Sequence, residues 1–222
     1  MSQNNSKRSA KKGLFEHFCY DFVKITGLPS ALIWMRPKIH YPFGKPNTGG
    51  RLMVISNHPT FIDPIIVQLV FPFRRLYSLA TKDIFKNKIK AILFTLMHCI
   101  IVDKDNFSMT SFHEVQNCLN NGHAVVIFPE GQVNHNVSDQ PIMAFKSGAV
   151  LMAHRAKAYI LPMYIVKSKK WYHRQNVVMG QPVDVAEMLG AMPSMQKLTE
   201  LNDYLRDREV ELKEYYESVS SK

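Results

Sequence analysis

Cysteine is scarce in this chain: 3 among 222 residues, at Cys19, Cys99 and Cys118. Each lies in an apolar or helical segment, so they build no disulfide framework, fit a reducing compartment and have no metal-ligand spacing. Long apolar runs are also missing. The longest candidate, Ala91 to Val102, carries His98 and falls short of the roughly 20 apolar residues needed to cross a bilayer. Met1 to Lys12 is polar and basic, and the apolar stretch that follows is broken by Glu16, Asp21 and Lys24, which argues against a signal peptide. Acidic residues are the scarcer sign, 18 Asp and Glu against 28 Lys and Arg, for a formal net charge of +10. That excess asks for an anionic partner. No aromatic strand of the RNA-binding type, zinc-finger spacing or helix-turn-helix accompanies it, so nucleic acid is not the partner expected.

What is present describes a globular chain. Hydrophobic residues make up 46% and charged residues 21%, and the length suits one domain with a full core. Basic residues cluster in the tail (Lys7, Arg8, Lys11, Lys12), in the middle (Arg74, Arg75, Lys82, Lys86, Lys88, Lys90) and around Trp171-Tyr172 (Lys167, Lys169, Lys170, Arg174). Basic residues interleaved with aromatics suit a membrane interface, and a solvated basic surface is the competing reading. The location expected is cytoplasmic and peripheral, at the cytoplasmic face of a membrane.

Along the chain, residues 1–12 are expected to be a disordered basic tail and residues 13–222 a single domain with its core motifs in 51–165. Leu14, Phe15, Phe18, Phe22 and Ile25 recur at helical spacing, and Gly27-Leu28-Pro29 reads as a stop before a second cluster, Leu32 to Met35. This predicts an N-terminal amphipathic helical hairpin. Strand and helix signals then alternate: strands at 51–56, 76–80, 99–102, 124–128, 159–165 and 176–179, and helices at 64–70, 83–97, from Ser111 (capping-box spacing with Glu114) or equally Ser108 to 121, and 142–157, with a long final helix from Ser194. The alternation predicts an α/β fold with a largely parallel central sheet covered by helices on both faces.

Two motifs carry chemistry. Asn57-His58-Pro59-Thr60-Phe61-Ile62-Asp63 follows the buried run Leu52 to Ile55, and the exit of a buried strand is where open α/β sheets place reactive groups. An imidazole base at His58 with its second ring nitrogen held by the Asp63 carboxylate would have a fixed tautomer and a free nitrogen for a hydroxyl proton. The competing reading makes Asp63 the N-cap of a helix whose first turn holds Pro64. Five residues on a regular helix turn through roughly 500°, so His58 and Asp63 meet only if the chain bends between strand and helix. Pro59 and Pro64 favour such a bend. The second motif, Phe128-Pro129-Glu130-Gly131, follows the strand at 124–128 and reads alone as a tight turn.

Taken together and in this order, the two motifs resemble those of the phospholipid/glycerol acyltransferase family, whose best-known members are the 1-acylglycerol-3-phosphate acyltransferases. Ile101-Val102-Asp103-Lys104, Phe145-Lys146-Ser147-Gly148-Ala149 and Leu161-Pro162-Met163 resemble its lesser motifs. The resemblance implies a membrane-surface O-acyltransferase that moves a fatty acyl group from acyl-CoA or acyl-carrier-protein to a hydroxyl of a glycerolipid or lysophospholipid-type acceptor. It implies His58 and Asp63 as the catalytic pair and Asn57, Lys104, Pro129, Glu130, Gly131 and Lys146 as substrate-binding residues. It implies no metal and no bound cofactor. Many members continue Glu-Gly-Thr-Arg, where this chain has Glu130-Gly131-Gln132-Val133, and Lys104 stands where an Arg is usual. Both changes remove a bidentate phosphate fork, so the acceptor is left open among lysophosphatidic acid, another lysolipid, an amino-acid-based lipid or a polyol. A non-catalytic lipid-binding relative with a decayed acceptor site is the alternative.

Overall fold

The structure is a computed structural model. It describes residues 2–81, 94, 98–102, 109–134, 142–146, 148–168, 170 and 172–221, with the side chains of residues 2–17, 19 and 81 outside that description. β2 (Leu52–Ser56) is its centre, and every residue of β2 is buried. Complete burial suits a strand read as an unbroken apolar run, and each fully buried Val, Leu or Ile contributes about 1.5–3 kcal/mol. β2 pairs in parallel with β5 (Ala124–Ile127) on one side and with β6 (Tyr159–Ile165) on the other. β3 (Leu76–Thr81) pairs in parallel with β5, and β4 (Cys99–Val102) pairs in parallel with β3. β7 (Asn176–Met179) returns antiparallel to β6, and β1 (Lys38–His40) is added parallel to β7. A short β8 (Val183–Asp184) also pairs with β6, giving 8 strands in the order β1-β7-β6-β2-β5-β3-β4 with β8 off the path. The largely parallel sheet is as expected.

Alternate side chains of β2 feed opposite cores. Met53 and Ile55 join the core beneath α3 (Met109–Asn120), α4 (Gly148–Ala156), α5 (Val185–Leu189) and the first half of α6 (Met195–Ser220). Leu52 and Val54 join the core beneath α1 (Ser2–Met35) and α2 (Asp63–Val70). This period-2 alternation places helices on both faces. The helix expected over residues 83–97 lies outside the described residues apart from Phe94.

Two expectations are corrected. The N-terminal hairpin is one helix, α1, which begins at Ser2 inside the stretch that composition assigns to a tail and runs through Gly27-Leu28-Pro29. Pro29 removes only the one donor that would have met Ile25 O, and the helix runs on through it; nearby, Thr26 donates to Phe22 O and Ser30 to Gly27 O. The chain does not enter a helix at Ile142 either, because backbone groups of 142–146 are bonded elsewhere. Lys146 N–H donates to Pro129 O at 2.9 Å, and Asn202 donates to Phe145 O at 2.9 Å. α4 therefore starts at Gly148.

α1 is anchored on one side. The Tyr20 hydroxyl donates to Gln68 at 2.7 Å and accepts from Leu76 N–H at 3.1 Å, and Arg75 pairs with Asp21 at 2.6 Å. Its other side leaves Phe18, Phe22, Ile25, Leu32 and Ile33 between 50% and 73% exposed. Among the described residues, no helix is long and apolar enough to cross a membrane.

Candidate active site

Because β2 and β5 are parallel neighbours, with Ile55 opposite Ile127, the segments leaving their carboxyl ends emerge side by side. That register brings Asn57–Asp63 and Phe128–Gly131 together although they are far apart in sequence. The His58 ring stacks on Phe128, with centroids 4.2 Å apart and planes 18° off parallel. Asn134 N–H donates to His58 O at 2.7 Å, closing the second loop over the first.

His58 and Asp63 meet. His58 Nδ1 lies 2.7 Å from Asp63 Oδ2, with the Asp63 side chain 0% and the His58 side chain 15% exposed. Asp63 Oδ2 also accepts Thr60 N–H at 2.8 Å, and Oδ1 accepts the Thr60 hydroxyl. Asp63 is the first residue of α2 and its carboxylate caps nothing: the N-cap position is Ile62, with no side-chain cap. The bend between strand and helix thus frees the carboxylate for the imidazole. A carboxylate on Nδ1 places the proton there and leaves the Nε2 lone pair as the ring's free base. No group among the described residues bonds Nε2.

Asn57 is not turned toward a substrate. Its Nδ2 donates to Ile165 O at 3.0 Å and its Oδ1 accepts from Ile165 N–H at 2.7 Å. β6 runs past the end of β2, and the buried amide pairs with it as one more strand residue would. The role expected for Asn57 in binding substrate is corrected to pinning the base of the His58 loop.

Glu130 is buried, and its carboxylate has no side-chain partner; only backbone N–H groups are directed at it. Burial pushes its carboxyl up to about 7. The Met143 N–H and the His58 ring and N–H act in the opposite sense, and Asp63 adds slightly to the rise. Gly131 holds φ +72° in the turn after β5, where a Cβ would lie 2.9 Å from Lys146 Cε and 3.0 Å from Nζ. Only glycine combines that conformation with the lysine stem lying across it. Lys146 is thereby placed beside the turn, and Pro129 accepts its N–H. Lys104 lies outside the described residues. Among the described residues, no three His, Cys, Asp or Glu side chains gather as a metal site.

Four contributors escape the motif reading. Phe128 carries the imidazole and Thr60 doubles the grip on Asp63, while Asn134 closes the loops. The fourth is Glu209, 0% exposed on α6, whose carboxyl interacts electrostatically with Glu130 and receives the Asn57 N–H, with no side-chain partner. A signal for it exists, since Glu209 falls on the apolar stripe Leu198, Leu201, Leu205, Leu212, where the helical period calls for a hydrophobic residue.

Comparison with known proteins agrees with this architecture. The chain superimposes on the crystal structure of the 1-acyl-sn-glycerophosphate acyltransferase PlsC from Thermotoga maritima with a TM-score of 0.63. Sequence identity there is 15% and the match covers 92% of this chain and 83% of that one, a likeness of fold. A 1-acyl-sn-glycerol-3-phosphate acyltransferase of Streptococcus pneumoniae is 24% identical over 83% of this chain and 69% of its own length. A probable enzyme of the same name from Mycoplasma pneumoniae is 29% identical over 53% of this chain, which spans about half (45%) of that relative. The family model described as acyltransferase matches residues 38–166, from β1 to just past β6 and including both motifs. The chain belongs to the acyltransferase family.

Proposed function

We propose that this protein transfers a fatty acyl group from an acyl-CoA or acyl-carrier-protein thioester to a hydroxyl of a glycerolipid or lysophospholipid-type acceptor, at the cytoplasmic face of a membrane. The observation that carries this reading is the 2.7 Å His58–Asp63 pair beside Glu130. His58 Nε2 takes the acceptor's hydroxyl proton as the oxygen attacks the thioester carbonyl carbon. The tetrahedral intermediate collapses, the carbon–sulfur bond breaks, and the thiolate leaves with the proton held on the imidazolium. Asp63 keeps the ring in one tautomer and steadies its charged form. Glu130 and Gly131, with Pro129 shaping their turn, receive the acceptor's head, and Lys146 and Lys104 supply positive charge to a phosphate or to the thioester's anionic carrier. The step needs neither metal nor bound cofactor. The outward apolar side of α1, in a chain of net charge +10, supports a peripheral position on lipid.

The test is thiol release from palmitoyl-CoA by purified protein against glycerol 3-phosphate, lysophosphatidic acid and other lysolipids, with a carrier-protein donor in parallel. Acceptor-dependent release is expected. His58→Ala should lower it at least 10³-fold, and Asp63→Asn, which presents a donor to Nδ1 and favours the wrong tautomer, about 10²–10⁴-fold in kcat with KM little changed. Release without an acceptor would mean a thioesterase. No release with any pair would leave the lipid-binding relative as the better reading.

A further inference from the structure

α6 lies over β6 and β7, and the residues it buries are Leu198, Leu201, Asn202, Leu205, Glu209 and Leu212. Asn202 has a partner in Phe145 O, whereas Glu209 is wholly buried with no side-chain partner and only the Asn57 N–H directed at it. An unpaired carboxyl in an apolar stripe opposes stability, and natural chains break the local pattern in this way mainly where function requires it. Glu209 also lies beyond the family-matched segment, which ends at residue 166.

Its surroundings explain the departure. Glu130 faces it from the turn after β5, the Asn57 N–H from the end of β2, and Tyr164 from β6. His58 and Asp63 stand around Glu130. The cations of α6 nearest in sequence to Glu209 are engaged elsewhere: Arg206 donates to Ile142 O, Arg208 pairs with Glu211 and Lys213 with Glu217. Lys146 lies over Gly131. Among the described residues, no cation pairs with Glu209. Two buried carboxyls that act on each other resist being charged together. Burial, and then the Glu130 charge, drive the Glu209 pKa well above the usual carboxylate range.

We propose that Glu209 is a positioning residue for the acceptor site: as a neutral acid it donates its O–H to the Glu130 carboxylate and holds that carboxylate, singly charged, toward the acceptor's head beside His58. One Glu209 oxygen answers the Asn57 N–H, and a rotation of the side chain brings the other to Glu130. Glu130 then offers the acceptor a fixed hydrogen-bond acceptor, which selects a head that brings hydroxyl or ammonium donors to that point. This rests on the acyl-transfer reading above and extends it.

Two variants and two readouts test it. Glu209→Leu completes the apolar stripe, so its Tm should equal or exceed that of the natural protein. Its KM for the acceptor should nevertheless rise at least tenfold, with KM for the thioester within threefold. Glu209→Gln keeps an N–H donor for Glu130 and should raise the acceptor KM only about threefold. Infrared difference spectra at about pH 9, well above the Glu130 value of about 7 and needing no activity, should show a protonated-carboxyl band in the natural protein and in Glu130→Gln that is absent from Glu209→Gln. An unchanged acceptor KM in Glu209→Leu overturns the proposal, as does a rise in both KM values that tracks a lower Tm. A missing band overturns the neutral-acid assignment. If the natural protein acylates no acceptor, the acyl-transfer reading and the acceptor role fall together, and the band alone decides whether Glu209 holds a proton.

Discussion

Asp63 had two uses open to it, capping α2 or holding His58, and the choice follows from where the helix begins. With Ile62 at the N-cap and Asp63 already helical, the carboxylate points back to the loop and meets the imidazole. Glu130 is the opposite case, a buried carboxyl with no side-chain partner and only the Met143 and His58 N–H groups directed at it. Its pKa of about 7 stands above the ordinary 4.5, so between those values the folded chain keeps a proton that the unfolded chain has released. Stability is then fully present below pH 4.5 and declines as pH rises through 7. Glu209, raised in the same direction, prolongs the decline. Thermal melts from about pH 4.5 to 7.5 should therefore show Tm falling over this window, and Glu130→Gln should flatten part of the fall. A Glu130→Gln curve parallel to that of the natural protein would show that Glu130 titrates normally. Of these groups the sequence exposes His58, Asp63 and Glu130 through their motifs. Glu209 is visible only as a wrong letter in a stripe of leucines, and the Asn57–Ile165 amide bonds depend on how far β6 outruns β2.

Elements long enough to repeat a pattern were legible. β2, β3, β4, β5, β6, β7, α2, α3 and α6 fall within a few residues of their expected places. β1, β8 and α5, at 3, 2 and 5 residues, are too short to show a period and rest on pairing with β7, pairing with β6 and the Asp184 cap. α1 misleads for another reason: Gly-Leu-Pro is a stop signal by backbone chemistry, yet the helix runs through it with Leu28, Ala31 and Met35 packed on the core to either side. Its apolar periodicity also could not say which side faces in. Tyr20, Leu28, Ala31 and Met35 turn inward, while Phe18, Phe22 and Ile25 turn out. Deleting the helix would tear out Tyr20 and Met35 from the core and confuse folding with docking. Phe18→Gln, Phe22→Gln and Ile25→Gln together avoid this, since glutamine is a good helix former. Co-sedimentation of this triple variant with liposomes should drop at least tenfold with Tm held within a few degrees. Full binding by the triple variant would move the membrane contact away from α1.

At the scale of the whole molecule, the order β6-β2-β5 does the functional work. It turns two distant motifs into neighbours at one sheet edge and sets α6 above them. The alternation of apolar runs predicts a parallel sheet without saying which strands touch, so the meeting of the motifs was legible only through the family resemblance. Charge is the other property of the whole. A net +10 acts over a Debye length of about 10 Å at 0.1 M salt, far beyond any single contact. If it serves docking, it should add to the apolar contact of α1 on anionic bilayers and vanish on neutral ones. Vesicles with about 30% anionic lipid should bind the protein at least tenfold better at 0.05 M than at 0.5 M salt, and zwitterionic vesicles should show little salt dependence. The glutamine triple variant should keep this salt-dependent fraction while losing binding to zwitterionic vesicles, because charge and apolar insertion are separate contributions. Equal binding to both vesicle types at every salt concentration would make the basic excess a solvated surface and leave α1 as the membrane contact.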